Sequence, residues 1–353
     1  MRLDELVNRQ GAWLPYDGRN AIVISSRIRL ARNLQGKAFP GWAGEEESVH
    51  VQRQMEEVLG SVKSLTPSIM VDMATIALPE KDFLHERHLI SMELVRKSRG
   101  SSLVVREDEN LGVMVNEEDH LRLQAMRPGL MLNELWREID ALDSEIEAKV
   151  RYSFSAELGY LTACPTNVGT GLRASAMLHV PALRLANEIE PIIKGLAKIG
   201  LVVRGLLGEG TEATGNMFQV SNQTTLGESE ETIIERLTHI VSEVAEHERN
   251  ARMRLMEGRG SRIRDFIGRA YGVLCHAQVL TSRETLDLLS GLRLGVDLGI
   301  VSGLEISELN RLTLTSQPGH MQKLEGQFVE PGARDELRAA RIRGVIRRAT
   351  ISG

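Results

Sequence analysis

One twelve-residue stretch constrains this chain more than any other: Cys164-Pro165-Thr166-Asn167-Val168-Gly169-Thr170-Gly171-Leu172-Arg173-Ala174-Ser175. It follows a strand-like run from Gly159 to Ala163, opens on helix-averse residues and carries two glycines before an apolar run begins at Leu172. The expectation is a strand, a tight loop, and a helix starting near Leu172. A glycine loop feeding a helix start presents backbone N–H groups and the positive end of a helix dipole, which suits an anion. No Gly-Lys-Ser/Thr follows, so the loop is not a Walker A loop, and Arg173 stands where a phosphate-binding side chain is wanted.

Four more blocks accompany it. Ser25-Ser26-Arg27-Ile28-Arg29-Leu30-Ala31-Arg32-Asn33 lies near the start, and Asn116-Glu117-Glu118-Asp119-His120-Leu121-Arg122 lies upstream of the loop. Arg204-Gly205-Leu206-Leu207-Gly208-Glu209-Gly210 and Asn216-Met217-Phe218-Gln219-Val220-Ser221-Asn222 lie downstream. In this order the five blocks resemble the catalytic domain of phosphagen (guanidino) kinases, with their paired arginines, N-E-E-D-H carboxylates, C-P-[ST]-N-x-G-T loop and R-G-x-x-G-E turn. The resemblance implies an α+β fold: an antiparallel sheet flanked by helices, of the guanido kinase and glutamine synthetase-like kind, with a helical C-terminal domain.

The bulk composition bounds the class of protein. At 353 residues the chain can bury a full core in two or perhaps three domains. A net charge of -5 argues against a general nucleic-acid or membrane-surface protein. Its 43 basic residues are lopsided, 35 arginines to 8 lysines. No apolar stretch approaches the ~20 residues that span a bilayer, and Met1 to Glu5 lacks the apolar region of a secretory signal. Two cysteines, Cys164 and Cys275, make no disulfide framework. A cytoplasmic protein with reduced thiols is expected.

Helical periodicity marks residues 49–59, 130–139 and 181–196, and strand patterns mark 101–106 and 111–116, joined as a hairpin. Further strands are expected at 159–163, 200–207 and 217–221. A long helix is expected from Glu230 to Met256, its apolar face carrying Ile233, Leu237, Ile240 and Val244. Gly258-Arg259-Gly260-Ser261 reads as a break, so a catalytic domain is assigned to residues 1–257 and a helical domain to 258–353. Thr281-Ser282-Arg283-Glu284 reads as a capping box.

Phosphorylating a guanidinium is difficult because its pKa exceeds ~12 and the attacking nitrogen is protonated. An enzyme needs carboxylates to hold the planar fork and accept a proton, and cations around a triphosphate. The resemblance assigns Glu118 and Glu209 to the first task, with Cys164 beside the guanidinium tuning geometry or charge. Taken singly, Glu118 would read as a solvated edge residue and each arginine as a surface charge. Arg27, Arg29, Arg122, Arg173 and Arg204, five arginines on four motifs, would repel one another without an anion between them. The resemblance gives ATP the residues Ser25, Ser26, Arg27, Ile28, Arg29, His88, Arg122, Arg173, Ala174, Ser175, Ala176, Met177, Arg204, Gly205, Leu206, Leu207, Gly208 and Glu209, with His88 near the base; a packed histidine is the other reading. Mg²⁺ is expected on phosphates and water, with no protein metal site. Cys275 reads as a buried small hydrophobe.

Small-molecule phosphagen kinases carry about a hundred residues of lid-bearing helical domain before the arginine block, which here begins at Ser25. The extra length instead follows Gly258. With Arg334-Asp335-Glu336-Leu337-Arg338-Ala339 this layout is similar to bacterial protein-arginine kinases of the McsB type, in which R-D-x-x-R-A belongs to a phosphoarginine pocket. The implied activity is transfer of the γ-phosphoryl group of ATP to arginines of proteins, in a stress response that marks proteins for a Clp-type protease. Implied partners are a zinc-binding activator protein, a heat-shock repressor, a Clp ATPase and a second copy in a homodimer. A kinase of free arginine or another guanidino metabolite, and a non-catalytic phosphoarginine-binding regulator, are the alternatives.

Overall fold

The computed structural model describes residues 3–16, 18, 22–206 and 214–351, and most of its strands fall in the first two thirds of the chain. The strands are β1 (Val23–Arg32), β2 (Ser68–Asp72), β3 (Ser102–Arg106), β4 (Leu111–Val115) and β5 (Leu121–Pro128). After them come a short β6 (Phe154–Ser155) and β7 (Gly159–Tyr160), then β8 (Leu172–His179), β9 (Leu201–Gly205) and β10 (Met217–Asn222). β11 (Val301–Ser302) and β12 (Thr350–Ile351) form a separate ribbon, as do β6 and β7. The main sheet has eight strands in the order β2-β3-β4-β5-β1-β8-β10-β9. β2 with β3, β3 with β4, β4 with β5 and β5 with β1 all pair antiparallel.

By its internal contacts the chain forms two compact units. The first comprises Met1–Trp13, Ser25–Ser175 and Ser221–Thr238. Helix Leu132–Glu147 buries Leu132, Leu135, Ile139, Leu142 and Ile146, a stripe at helical spacing, and packs on β5. A further core gathers Ile69, Val71, Phe83, Leu84, Leu94, Leu103 and Val105. The second unit comprises Leu14–Ile24, Ala176–Val220 and His239–Gly353. Its helical core joins Ile263, Ile267, Leu274, Leu289, Leu292, Leu309, Ile342 and Ile346, with Cys275 buried among them as expected.

Three expectations need correction. No helix begins at Leu172: β8 runs there, with Leu172 and Ala174 buried in alternation with Arg173. The Asn222 side chain extends the ladder, accepting from the Ala174 N–H (2.8 Å) and donating to the Leu172 carbonyl (3.0 Å). The break at Gly258–Ser261 is also absent, since one helix of 47 residues runs from Glu230 to His276. A helical glycine costs only about 1 kcal/mol against alanine, and buried Val244 and Ala251 before the glycines and Ile263 and Ile267 after them hold the helix on both sides. Residues 181–196 form two helices, Pro181–Leu185 and Ile189–Lys198, parted where Asn187 takes a positive φ of 60°. The Thr281 cap is present: its side chain accepts from the Glu284 N–H.

Candidate active site

Register on the sheet gathers the arginines of the first unit. Arg27 lies opposite Met126, Arg29 opposite Gln124 and Ala31 opposite Arg122. Cross-strand partners share a face, so Arg27, Arg29 and Arg122 stand on one side while Ile28 and Leu30 are fully buried on the other. Arg173 of β8 joins them. Burial, then Arg173 and Arg122, push the Arg27 guanidinium down to about 10. Arg29 falls well below the ordinary arginine value through burial, then through Arg27, Arg122 and Arg173, with Glu117 opposing. Arg27 and Arg29, each with its charge disfavoured, thus stand beside Arg122 and Arg173.

His88 borders this cluster with a backbone φ of 61°. Its ring meets Trp13 edge-on at 4.7 Å, and its carbonyl accepts from Gln124 Nε2 at 2.7 Å. Burial, then Arg27, His85 and Arg29, hold its imidazole well below the ordinary histidine range, so it is an uncharged ring beside the arginines.

The acidic turn between β4 and β5 stands next to them. Glu117 is 1% exposed; it accepts from Ser91 Oγ, from its neighbour's backbone N–H (2.8 Å) and from Arg122 Nη1 (2.6 Å). Glu118 instead leaves 44% of its side chain exposed, with Arg122 Nη2 at 3.1 Å. Burial raises the Glu118 carboxyl above its ordinary value; Arg122 opposes this, while Glu117 and Asp119 add to it. Asp119 is buried and ties the turn to its surroundings, accepting from Asn33 Nδ2 (2.6 Å) and the Ala163 N–H (2.7 Å). A cavity of about 290 Å³ opens onto this turn, lined by Glu117, Glu118, Phe39, Gly41, Trp42, Glu93, Lys97, Thr162 and Ala163.

The expected site residues therefore divide. Arg27, Arg29, His88, Arg122 and Arg173 come together with Glu118. Ser26 serves the framework: it is buried, donates to the Gly129 carbonyl (2.8 Å) and accepts from the Met131 N–H (3.0 Å). Ser25, Ile28, Ala174, Ser175, Ala176 and Met177 are buried strand positions, and Ser175 Oγ donates to the Arg27 carbonyl at 3.3 Å. Cys164 lies with its Sγ 3.0 Å from Thr166 Oγ1, next in the chain to the cavity-lining Thr162 and Ala163 but not itself lining the cavity. Arg204 is exposed on β9 and Gly205 and Leu206 are buried, all in the second unit. Leu207, Gly208 and Glu209 lie outside the described residues.

The loop's glycines answer to packing. At Gly169 (φ 111°) a Cβ would stand 2.5 Å from the Thr225 carbonyl oxygen, and at Gly171 (φ 68°) 2.6 Å from the Ala31 carbonyl oxygen and from Arg32 Nη1. With no helix at Leu172, the loop does not feed the helix dipole expected there. Glu117, Phe39 and Trp42 were not expected at the site; Glu117 alone had a signal, its place inside the N-E-E-D-H block.

Residues 50–251 match the C-terminal catalytic domain of the ATP:guanido phosphotransferases, and residues 260–351 match the protein-arginine kinase McsB C-terminal domain. A protein-arginine kinase of Moorella thermoacetica is 45% identical over 344 residues, covering 96% of this chain and 98% of that protein. One from Desulforamulus reducens is 44% identical over 354 residues, covering 97% and 98%. The chain belongs to the protein-arginine kinase family. Among solved structures, lombricine kinase superposes with a TM-score of 0.57 at 24% identity over 70% of each chain. The duplicated taurocyamine kinase of Schistosoma mansoni gives 0.59 at 22%, over 75% of this chain and 38% of that one. These two share the fold.

In this protein-arginine kinase family member the Arg334–Ala339 motif lies on helix Pro331–Ile346. Arg338 is 2% exposed: it donates to the carbonyls of Ser316 (2.6 Å) and Leu280 (2.7 Å) and pairs with Asp335. Ala339 is buried in the helical core, whereas Glu336 and Leu337 line an open pocket of about 740 Å³ with Phe328, Ala340 and Arg343. Among the described residues no helix is long and apolar enough to cross a membrane.

Proposed function

We propose that this chain transfers the γ-phosphoryl group of ATP to arginine side chains of proteins. The observation that carries the reading is Arg122, which holds both carboxylates of the acidic turn and belongs to the arginine cluster. Acceptor and donor sites so joined bring a guanidinium to a terminal phosphate.

Glu118 takes the proton from the attacking guanidino nitrogen, whose lone pair forms the N–P bond as the bond from the γ-phosphorus to the β,γ-bridging oxygen breaks and ADP leaves. Its raised carboxyl suits it to that task. Glu117 and Arg122 fix its position, and Arg27, Arg29 and Arg173 balance the charge spreading over the phosphoryl oxygens. Glu209 would supply the second carboxylate, Arg204 a further cation and Cys164 a tuning group beside the guanidinium; these roles rest on family likeness. Mg²⁺ supplies charge neutralisation on the triphosphate. By family likeness, nucleotide oxygens and water would carry it.

Family likeness also supports a cytoplasmic stress-response enzyme with catalytic residues 1–257 and helical residues 258–353. It further supports a homodimer, phosphoarginine recognition by Arg334 and its neighbours, and a zinc-binding activator, a heat-shock repressor and a Clp ATPase as partners. The decisive test is labelled Mg-ATP with a mixed protein substrate. Label lost in acid but retained in mild base marks a P–N bond, which breaks once its nitrogen is protonated. Label that survives hot acid would overturn the arginine assignment.

A further inference from the structure

Trp42 is 90% exposed on a segment that is otherwise well tied down. The Gln35 N–H donates to the Arg151 carbonyl (2.9 Å), the Ala38 N–H to Glu47 (3.2 Å), and the Trp42 and Ala43 N–H groups to the Phe39 carbonyl (2.8 and 2.9 Å). Phe39 rests edge-on against His120 at 6.2 Å, and the Leu34 N–H donates to His120 Nδ1 at 3.2 Å. A built turn thus holds a large indole in water, where it does little for the fold. Both aromatics line the same cavity as Glu117 and Glu118.

An arginine side chain is a planar cation on a three-carbon apolar stem. Acidic groups suit the first part and aromatic faces suit both, through cation–π attraction and burial of methylenes. Resting on the arginine-kinase reading, we propose that Phe39 and Trp42 form a wall on which Phe39 receives the stem of a substrate arginine and Trp42 the peptide chain flanking it. The cavity then selects arginine within a protein: Glu117 and Glu118 are common to any guanidino acceptor, whereas the exposed indole gains contact only from chain flanking the arginine. Trp42 acts in specificity and takes no part in proton or phosphoryl transfer.

The test compares wild type, Trp42→Ala and Trp42→Phe on a tryptophan-free arginine peptide and on free arginine. Trp42→Ala should raise KM for the peptide about 10-fold, leave kcat within about 3-fold and leave KM for ATP unchanged; Trp42→Phe should restore most of the loss. Any transfer to free arginine should change little. Titration with the peptide should shift wild-type indole fluorescence, and the shift should vanish in Trp42→Ala although Trp13 and Trp136 remain. Equal peptide KM for wild type and Trp42→Ala, with transfer intact, overturns the wall and leaves the functional reading standing. A wild type that phosphorylates no arginine overturns both.

Discussion

Arg122 spans two carboxylates of one turn, its Nη1 2.6 Å from Glu117 and its Nη2 3.1 Å from Glu118. The two acids are not equivalent. Glu117 is sequestered among donors and fixes Arg122, while Glu118 leaves 44% of its side chain exposed.

Removing Glu118 should therefore strike the chemical step. Glu118→Gln keeps the shape but cannot accept the proton, and kcat should fall at least ~100-fold with ATP affinity nearly unchanged. Near-normal turnover would end its assignment as the base. Glu117→Gln should impair both ATP binding and rate, because it releases an arginine shared by the two sites.

The pH profile follows from the same residue. A base works when deprotonated, and burial places the Glu118 carboxyl above its ordinary 4.5. Transfer should decline as pH falls through that raised value, giving an acid limb higher than a solvated glutamate would give. Single-turnover rates of phosphoryl transfer across pH 4 to 8 would measure it. A limb at or below the ordinary value would contradict the geometry.

ATP should stabilise the fold by relieving the arginine cluster. Without the anion, Arg27, Arg29, Arg122 and Arg173 oppose one another. Saturation at a hundred times Kd adds about 2.7 kcal/mol to unfolding, read as a rise in Tm. Arg29→Met should abolish that rise without lowering the Tm of the nucleotide-free protein. A variant that still gains the full shift would show that Arg29 does not meet the phosphates.

Stability should weaken on the acid side. His179 is buried, with Nδ1 accepting from Arg293 Nη1 (2.9 Å) and Nε2 at 2.7 Å from Ser290 Oγ. Burial, then Arg293 and Arg252, hold it well below the ordinary 6.5. Below pH 6.5 the unfolded chain takes a proton that the folded chain refuses, so this stability is present above 6.5 and lost as pH falls towards the depressed value. The slope is at most about 1.4 kcal/mol per pH unit for one group. His85, His88 and His120, also lowered chiefly by burial, add to it. Urea unfolding at pH 7.5 and 5.5 should show His179→Gln losing part of the difference; an unchanged difference would remove His179 from this account.

Within the C-terminal motif, Asp335 and Arg334 separate in what each should do. Asp335→Ala strips buried Arg338 of its charged partner and should cost about 1–3 kcal/mol of stability. Arg334→Ala, half-buried at the helix surface, should stay within about 0.5 kcal/mol yet weaken phosphoarginine binding by calorimetry. Unchanged binding in Arg334→Ala would exclude it from a phosphoarginine site.

The sequence by itself determined strands near Ser102–Arg106, Leu111–Val115, Leu201–Gly205 and Met217–Asn222, helical periodicity over 130–139, the Thr281 cap and the identity of the charged groups. These follow from period, capping chemistry and residue type, which are local. Only the tertiary structure decided that Leu172 starts a strand, because its partners are Asn222 and the neighbouring strands, 50 residues away in the chain for Asn222. Only the tertiary structure carried one helix through Gly258 and Gly260, since burial on either side outweighs glycine's weak local preference. Which arginines meet was likewise hidden. Arg27 and Arg29 alternate within one strand, but their grouping with Arg122 depends on antiparallel register, and Arg173 joins them from a strand far along the chain. Trp42 carried no signal in sequence, because a lone exposed aromatic takes on meaning only when the fold lines one cavity with it and two carboxylates.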